Sequence, residues 1–185
     1  ERGIYELADG TRVEAGRFGA AAADTWTWGG FAGNFTTAPV VVAAVMMAGD
    51  DRTVIARLRG IDTQGFDVRL FEQEANQPGA RVETVSFIAW EPSIGEVNGL
   101  GFEVARTAET LSDLPRALQF EPAFWRRPVF IADIQTTNGV DPASLRGHDL
   151  SQTGLTIAIS EEQSLDTETS HADEAVGYFV FGDSD

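Results

Sequence analysis

Apolar and polar residues alternate along much of this chain, which predicts β-strands rather than helices. In Phe66–Glu72 the apolar side chains occupy every second position, and Asp67 and Arg69 stand between them. No segment of twelve or more residues has a helical period, although a short helix within Ala108–Leu111 remains an alternative. Similar runs bounded by turn residues are Pro39–Met47, Thr53–Ile61, Val82–Trp90, Pro128–Gln135, Ser144–Leu150, Gly154–Ser160 and Glu174–Phe181. The pattern predicts an all-β fold of antiparallel sandwiches or barrels.

The same pattern occurs twice, displaced by 89 positions, so that Gly10 falls on Gly99. Other matched pairs are Phe31 with Phe120, Phe35 with Phe124, Arg57 with Arg146, Gly65 with Gly154 and Glu72 with Glu161. A period this long indicates two copies of one structural unit. We therefore predict two units, residues 1–91 and 92–185, with the boundary at Pro92, which ends a strand.

Composition excludes several classes of partner. The chain of 185 residues has a net charge of −16, no Cys and no Lys. Nucleic acids and anionic membranes bind basic surfaces, so neither is an expected partner. No apolar stretch is long enough for a membrane-spanning helix. The acidic surface fits an exported module or one from a salty habitat, and we interpret the chain as a processed or excised part of a larger protein.

Four ordered segments of the first copy carry a family resemblance. They are Arg12–Gly16, Phe31 followed by Pro39–Val41, Thr53–Leu58 followed by Thr63–Phe66, and Ser86–Trp90. This series resembles the H-type lectin domain of snail agglutinins and slime-mould lectins, and the second copy has a more degenerate version. The resemblance implies two tandem antiparallel six-stranded β-sandwiches. It also implies trimers that bind N-acetylgalactosamine or related sugars in clefts between subunits, without a metal.

The residues at the sugar-contacting positions of that family are different here. The family has an Arg at the start of its second strand and a Trp-His pair after its third. The corresponding positions hold Arg52, Thr53, Gln73 and Glu74 in the first copy and Pro142, Glu162 and Gln163 in the second. The resemblance therefore carries over the fold but not the N-acetylgalactosamine site.

Two carboxylates are kept in both copies, one on each side of the loop before the last strand. They are Glu72 and Glu83 in the first copy and Glu161 and Glu174 in the second. Neighbouring like charges need a compensating partner. An internal ion network with Arg57 or Arg146 is the favoured interpretation, because the arginine is kept as well. Sugar hydroxyls, a calcium ion, or a glycosidase acid–nucleophile pair are the alternatives.

Trp26, Trp28 and Trp125 have no aromatic counterpart in the other copy, which makes them candidates for stacking on sugar rings. Core or inter-copy packing is the alternative for these tryptophans. His171 lies three residues before Glu174, so we interpret it as an exposed loop histidine or a sugar contact. His-x-x-Glu without a third ligand is a weak metal signal, and no calcium-type loop is present, so no cofactor is predicted.

These observations predict a non-enzymatic, lectin-like carbohydrate-binding module of a larger exported bacterial protein. Its expected location is extracellular or at the cell surface, its expected partner a polysaccharide or glycan, and its expected assembly a homo-oligomer such as a trimer. One alternative is a structural spacer, spike or assembly domain of a surface appendage or phage-like particle. A glycoside hydrolase is the less favoured alternative.

Overall fold

A computed structural model describes residues 2–21, 25–46, 54–76, 82–121 and 123–183. Within these ranges the chain is all-β and contains no helix, and none of these segments forms a helix able to cross a membrane. The first half has β1 (Gly3–Glu6), β2 (Arg12–Ala21), β3 (Thr27–Gly30), β4 (Val40–Met46), β5 (Val54–Arg59), β6 (Gly65–Glu72) and β7 (Val82–Trp90). The second half has β8 (Ser93–Val97), β9 (Leu100–Arg106), β10 (Arg116–Gln119), β11 (Val129–Ile134), β12 (Ala143–His148), β13 (Gly154–Glu161) and β14 (Val176–Asp183).

Both halves pair their strands in the same order. The sheets are β1-β2-β7-β4 and β3-β6-β5 in the first half, and β8-β9-β14-β11 and β10-β13-β12 in the second. Each strand therefore corresponds to the strand seven places later, and every pairing is antiparallel. The duplication in the sequence is a duplication of topology. The division into units at residues 91 and 92 stays a prediction.

Among the described residues each half has seven strands, one more than the six that the lectin resemblance implies. The strands β1 and β8 precede Gly10 and Gly99, where the sequence repeat begins. A tight turn returns β8 into β9, with Asn98 and Gly99 both at positive φ, the conformation that two-residue hairpins require. The segment Ala108–Leu111, an alternative for a short helix, ends instead in a bridge between Leu111 and Glu174.

The two sheets of the first half face each other across an aromatic core, in a sandwich-like arrangement. Phe18, Phe31, Phe66 and Phe87 contact one another with ring centroids 5.2–6.1 Å apart. Most of these pairs meet edge to face or tilted, geometries that stabilise aromatic clusters beyond their burial. Side chains alternate between the two faces of a strand, so Val85 points into the same core as Phe87. Equivalent apolar clusters occupy the second half.

The halves pack on each other through their four-stranded sheets. Val40 and Trp90 of the first half form one buried cluster with Phe102, Val104 and Phe179 of the second. The Trp90 ring lies 4.8 Å from Phe102 and 5.9 Å from Phe179, measured between centroids. This apolar contact means that each half covers a surface that the other would expose to water.

Side chains of the second half also cap the edge of β4. The Val41 N–H donates to Oε1 of Gln135 at 2.9 Å, and Nε2 of Gln135 donates to the Val41 carbonyl at 2.7 Å. The Ala43 N–H donates to Oδ2 of Asp133 at 3.1 Å. These bonds satisfy backbone groups that the contact between halves removes from water.

The contact is not symmetric in detail, because the two copies differ at residues that face each other. Gly177 allows close approach of the first half, since a Cβ there would lie 2.5 Å from Cγ1 of Val40. The first half has Ser86 at the position of this glycine. It also has Ala44 and Met46 at the positions of the two capping side chains. The first half therefore lacks the side chains needed to receive a partner in the same way.

We predict that the folded chain becomes more stable as salt is added. Repulsion within a net charge of −16 disfavours the compact state, and ions screen it. Between 0.1 and 1 M sodium chloride the Debye length falls from about 10 Å to about 3 Å. The thermal midpoint followed by circular dichroism should rise over this range, and sucrose of equal osmolality controls for solute exclusion. An unchanged or falling midpoint in sodium chloride would contradict the prediction.

Candidate functional site

A buried arginine joins the two halves. Arg57 on β5 is 1% exposed, and its Nη2 donates to Oε1 of Glu174 at 2.7 Å. Its Nη1 donates to the Asp141 carbonyl at 3.2 Å. The acid that pairs with Arg57 comes from the other copy. The reason is the packing of the halves, which places the second half's loop against β5. The counterpart Arg146 is exposed.

Glu174 is the centre of this network. It accepts hydrogen bonds from Nη2 of Arg57, Oγ1 of Thr136 and the backbone N–H groups of Asn138 and Gly139, and Nε2 of His171 lies 3.2 Å away. Burial alone would raise the pKa of Glu174. The hydrogen bonds from His171 and Thr136, with the charge of Arg57, outweigh burial and lower this pKa to about 2. Glu174 therefore stays ionised while fully buried.

His171 is buried between two carboxylates, so the expectation of an exposed loop histidine is wrong. Its Nδ1 lies 2.6 Å from Oε1 of Glu161, and its side chain is 0% exposed. Burial lowers the pKa of His171, but the hydrogen bonds to Glu174 and Glu161 raise it by more. The net change in this pKa is upward. Both ring nitrogens are engaged, which leaves neither for a sugar. The two acids meet at one end of the sandwich, as their places beside one loop predict.

Beside this network, a cleft opens between the two halves. It consists of two adjoining hollows of about 170 and 240 Å³. Phe71, Glu72, Gln73 and Pro142 line both hollows. The remaining polar lining comes from Arg69, Glu74, Asn76, Asp141, Ser144, Arg146, Ser160, Glu161 and Glu162. The cleft therefore has an apolar floor and a rim of donors and acceptors from both copies.

Hydrogen bonds between the halves hold one wall of the cleft. The Glu74 N–H donates to Oε2 of Glu162 at 3.0 Å, and the Ala75 N–H donates to Oγ of Ser164 at 3.0 Å. The hydroxyl of Ser164 also donates to Glu162, which lowers the pKa of Glu162. Burial and the nearby charge of Asp141 raise the pKa of Glu74. The pKa values of these two carboxylates of the cleft are therefore shifted in opposite directions.

The cleft contains residues that the sequence marked. Gln73, Glu74, Pro142 and Glu162 occupy positions that the lectin resemblance aligned with sugar contacts, and all four line it. Glu72, Arg146 and Glu161, assigned to the ion network, line it as well, and Glu83 is buried in β7. Arg52 and Thr53 lie outside the described residues. Trp26, Trp28 and Trp125 lie outside this lining, with Trp28 51% and Trp125 61% exposed.

Sequence reasoning missed Phe71 and Asp141, because their role depends on how the halves pack. It also missed Asp133 and Gln135, although a signal for them exists. Asp133 has a carboxylate and Gln135 an amide, whereas the corresponding positions of the other copy are both apolar. A polar residue gained in only one copy of an apolar strand indicates a contact that only that copy makes. Among the described side chains, no three histidines or acids are grouped to hold a metal ion.

Comparison with known proteins finds one distant relative and no family. No family model matches the chain, and no solved structure matches it. The chain is 27% identical over 188 aligned residues to part of halomucin from Haloquadratum walsbyi. This alignment covers the whole chain and 2% of halomucin. The chain is thus similar to a small part of a much longer protein.

We predict that Arg57→Ala destabilises the fold far more than Arg146→Ala. The first change leaves the ionised Glu174 buried without its cation, which costs about 3–5 kcal/mol. The second removes an exposed side chain at the equivalent position, and such changes stay within about 0.5 kcal/mol. Urea denaturation followed by tryptophan fluorescence gives both free energies of unfolding. Equal losses in the two variants would show that the buried pair does not stabilise the contact between halves.

Asp133 should make the protein less stable as pH rises. Burial raises the pKa of Asp133 to about 7, against the hydrogen bonds from Ala43 and Ile134. Between about 4 and 7 the folded state holds a proton that the unfolded state has released, so the free energy of unfolding falls as pH increases. The raised pKa of His171 acts in the same direction at higher pH.

Asp133→Asn should therefore flatten the pH dependence of stability. The amide keeps an oxygen for the Ala43 N–H but does not titrate. Urea denaturation at pH 5, 6, 7 and 8 should show a smaller loss for the variant than for the natural chain. Parallel curves for the two proteins would mean that Asp133 titrates as it does in the unfolded chain.

Proposed function

We propose that this chain is a non-catalytic, lectin-like carbohydrate-binding module, and that the cleft between its halves holds the sugar. The observation that carries this proposal is the meeting of Gln73, Glu74, Pro142 and Glu162 in one cleft. These residues come from both copies, at positions where the H-type lectin resemblance implies sugar contacts. In this proposal each half is a lectin-like sandwich, and the cleft corresponds to the family's cleft between subunits.

The chemistry of the cleft suits a sugar. Phe71 and Pro142 give the cleft an apolar floor, and the Arg69 guanidinium over the Phe71 ring adds hydrogen-bond donors beside it. The amide of Gln73 both donates and accepts hydrogen bonds, and the guanidinium of Arg146 donates them to hydroxyl or carboxylate oxygens. A small number of convergent polar groups around an apolar floor is the usual composition of a small-molecule site.

The carboxylates of the cleft support binding rather than hydrolysis. A glycosidase needs two acids that both reach the scissile bond. The Glu161 side chain is 4% exposed and lies against His171, so it belongs to the buried network. The kept pair Glu161 and Glu174 is therefore closed to a substrate, and Glu83, the kept partner of Glu72, is buried in β7.

The alternative of a structural spacer also has an observation in its favour. The relative that the chain matches, halomucin, is so long that this chain covers 2% of it. A module repeated or embedded in such a chain can separate other parts without binding a ligand. We propose an extracellular module attached to a larger protein in either case, and ligand binding separates the two functions.

We predict that the natural chain binds to a glycan array. Arg146→Ala and Gln73→Ala should each weaken this binding about tenfold or more. The reason is that a direct hydrogen bond lost from a desolvated site costs about 1.4 kcal/mol. Arg116→Ala is the matched control, since Arg116 is an exposed arginine on the same sheet as Arg146 and lies outside the cleft lining. It should bind as the natural chain does.

Three outcomes separate the candidate functions. Retention lost in the two cleft variants alone supports the lectin-like function. Silence of the natural chain across neutral and acidic glycans supports the spacer. Release of reducing ends from a retained polysaccharide, abolished in Glu72→Gln, would replace the binding function with a hydrolase.

A further inference from the structure

The outer face of the sheet β3-β6-β5 runs directly into the cleft. Alternation along β6 places Asp67, Arg69 and Phe71 on the same face, opposite the core residues Val68 and Leu70. Arg69 and Phe71 also line the cleft, and the Arg69 guanidinium lies over the Phe71 ring at 4.4 Å from its centroid. The cleft and the sheet face therefore form one continuous surface.

An exposed tryptophan lies at the far end of this face. Trp28 on β3 pairs with Asp67 on β6, and about half of the Trp28 surface is exposed. Its indole lies against Gly65, where a Cβ would be 2.6 Å from Cζ2 of Trp28. The glycine allows one side of the ring to rest flat on the sheet. The other side is then available as a platform.

Trp26 lies between this platform and the cleft. Thr27 pairs with Val68, so the register places Trp26 beside Arg69. The Arg59 guanidinium lies 3.8 Å from the centroid of the Trp26 ring and pairs with Asp67 at 3.3 Å. This cation–π contact holds the indole in a fixed position. Aromatic and hydrogen-bonding side chains therefore follow each other along the face.

The length of this surface exceeds one sugar ring. Asp67, beside Trp28, and Gln73, in the cleft, are six residues apart, which is about 20 Å along a strand. The second half has Pro115 and Ala117 at the positions of the two tryptophans, so its equivalent face has no such platform. The two tryptophans therefore occur only in the copy whose β6 leads into the cleft.

We propose that an unbranched oligosaccharide lies along this face, with one end in the cleft and the other on Trp28. The proposal rests on the proposed function of the cleft. It adds that the ligand is an extended chain of several sugars rather than a single terminal sugar. Ring stacking on Trp28 contributes only when the chain is long enough to reach it.

The test is the dependence of affinity on chain length. Isothermal titration uses chito-oligosaccharides and oligogalacturonates of one to six residues with the natural chain, Trp28→Ala and Trp125→Ala. Affinity should rise with length, and Trp28→Ala should bind the hexamer about tenfold more weakly, as expected for the loss of one ring-stacking contact. The same variant should bind the monomer and dimer as the natural chain does. Trp125→Ala, which removes an equally exposed tryptophan from the other half, should match the natural chain throughout.

The two proposals fail in different ways. Equal affinity for short and long chains, unchanged in Trp28→Ala but lost in Arg146→Ala, overturns the extended ligand and leaves the cleft as the site. Absence of binding by the natural chain to both ladders overturns both proposals. Thermal unfolding of Trp28→Ala, expected near the natural midpoint, shows that a change in affinity does not come from a loss of fold.

Discussion

The buried pair of Arg57 and Glu174 determines how the two halves are arranged. Removing a guanidinium from water costs free energy unless its charge is compensated by other groups. Compensation for Arg57 comes from the second half, through Glu174 and the carbonyls of Asp141 and Thr136. The pair therefore favours one docked arrangement over other ways of packing the same apolar surfaces. Because the cleft exists only between docked halves, the candidate site depends on this pair as well.

Divergence between the copies made this contact directional. A groove of about 360 Å³ between the halves is lined by matching residues of both copies, so the copies approach each other with related surfaces. The lining is Ala43–Val45 and Val54–Ala56 of one copy and their counterparts Ala132–Ile134 and Ala143–Leu145 of the other. Only Asp133 among them has an ionisable side chain, and only the second copy has it. This difference makes the contact asymmetric, although the two surfaces are related.

The sequence predicts the strands and their duplication well, because both depend on local alternation. Phe66–Glu72 alternates and becomes β6, one residue longer at its start. The predicted runs do not include β1, β2 and β3 or their counterparts β8, β9 and β10, and of these β1 and β8 are short edge strands with little apolar patterning. The site was less predictable. The sequence places His171 in a loop, yet it is buried between the two acids. The residues that line the cleft cannot be predicted without knowing how the copies pack. Such packing depends on a few substitutions, such as the glycine at 177.

The two retained arginines have separate roles in this arrangement. Arg57 is buried in the contact between the halves, whereas Arg146 stays exposed at the rim of the cleft. A second, reciprocal cleft would need Arg57 to be free, which the pair with Glu174 prevents. Duplication would then create one composite site per chain instead of two weak equivalent sites. Any gain in affinity for a glycan must therefore come from contacts that extend this one site, and not from the effective concentration of two.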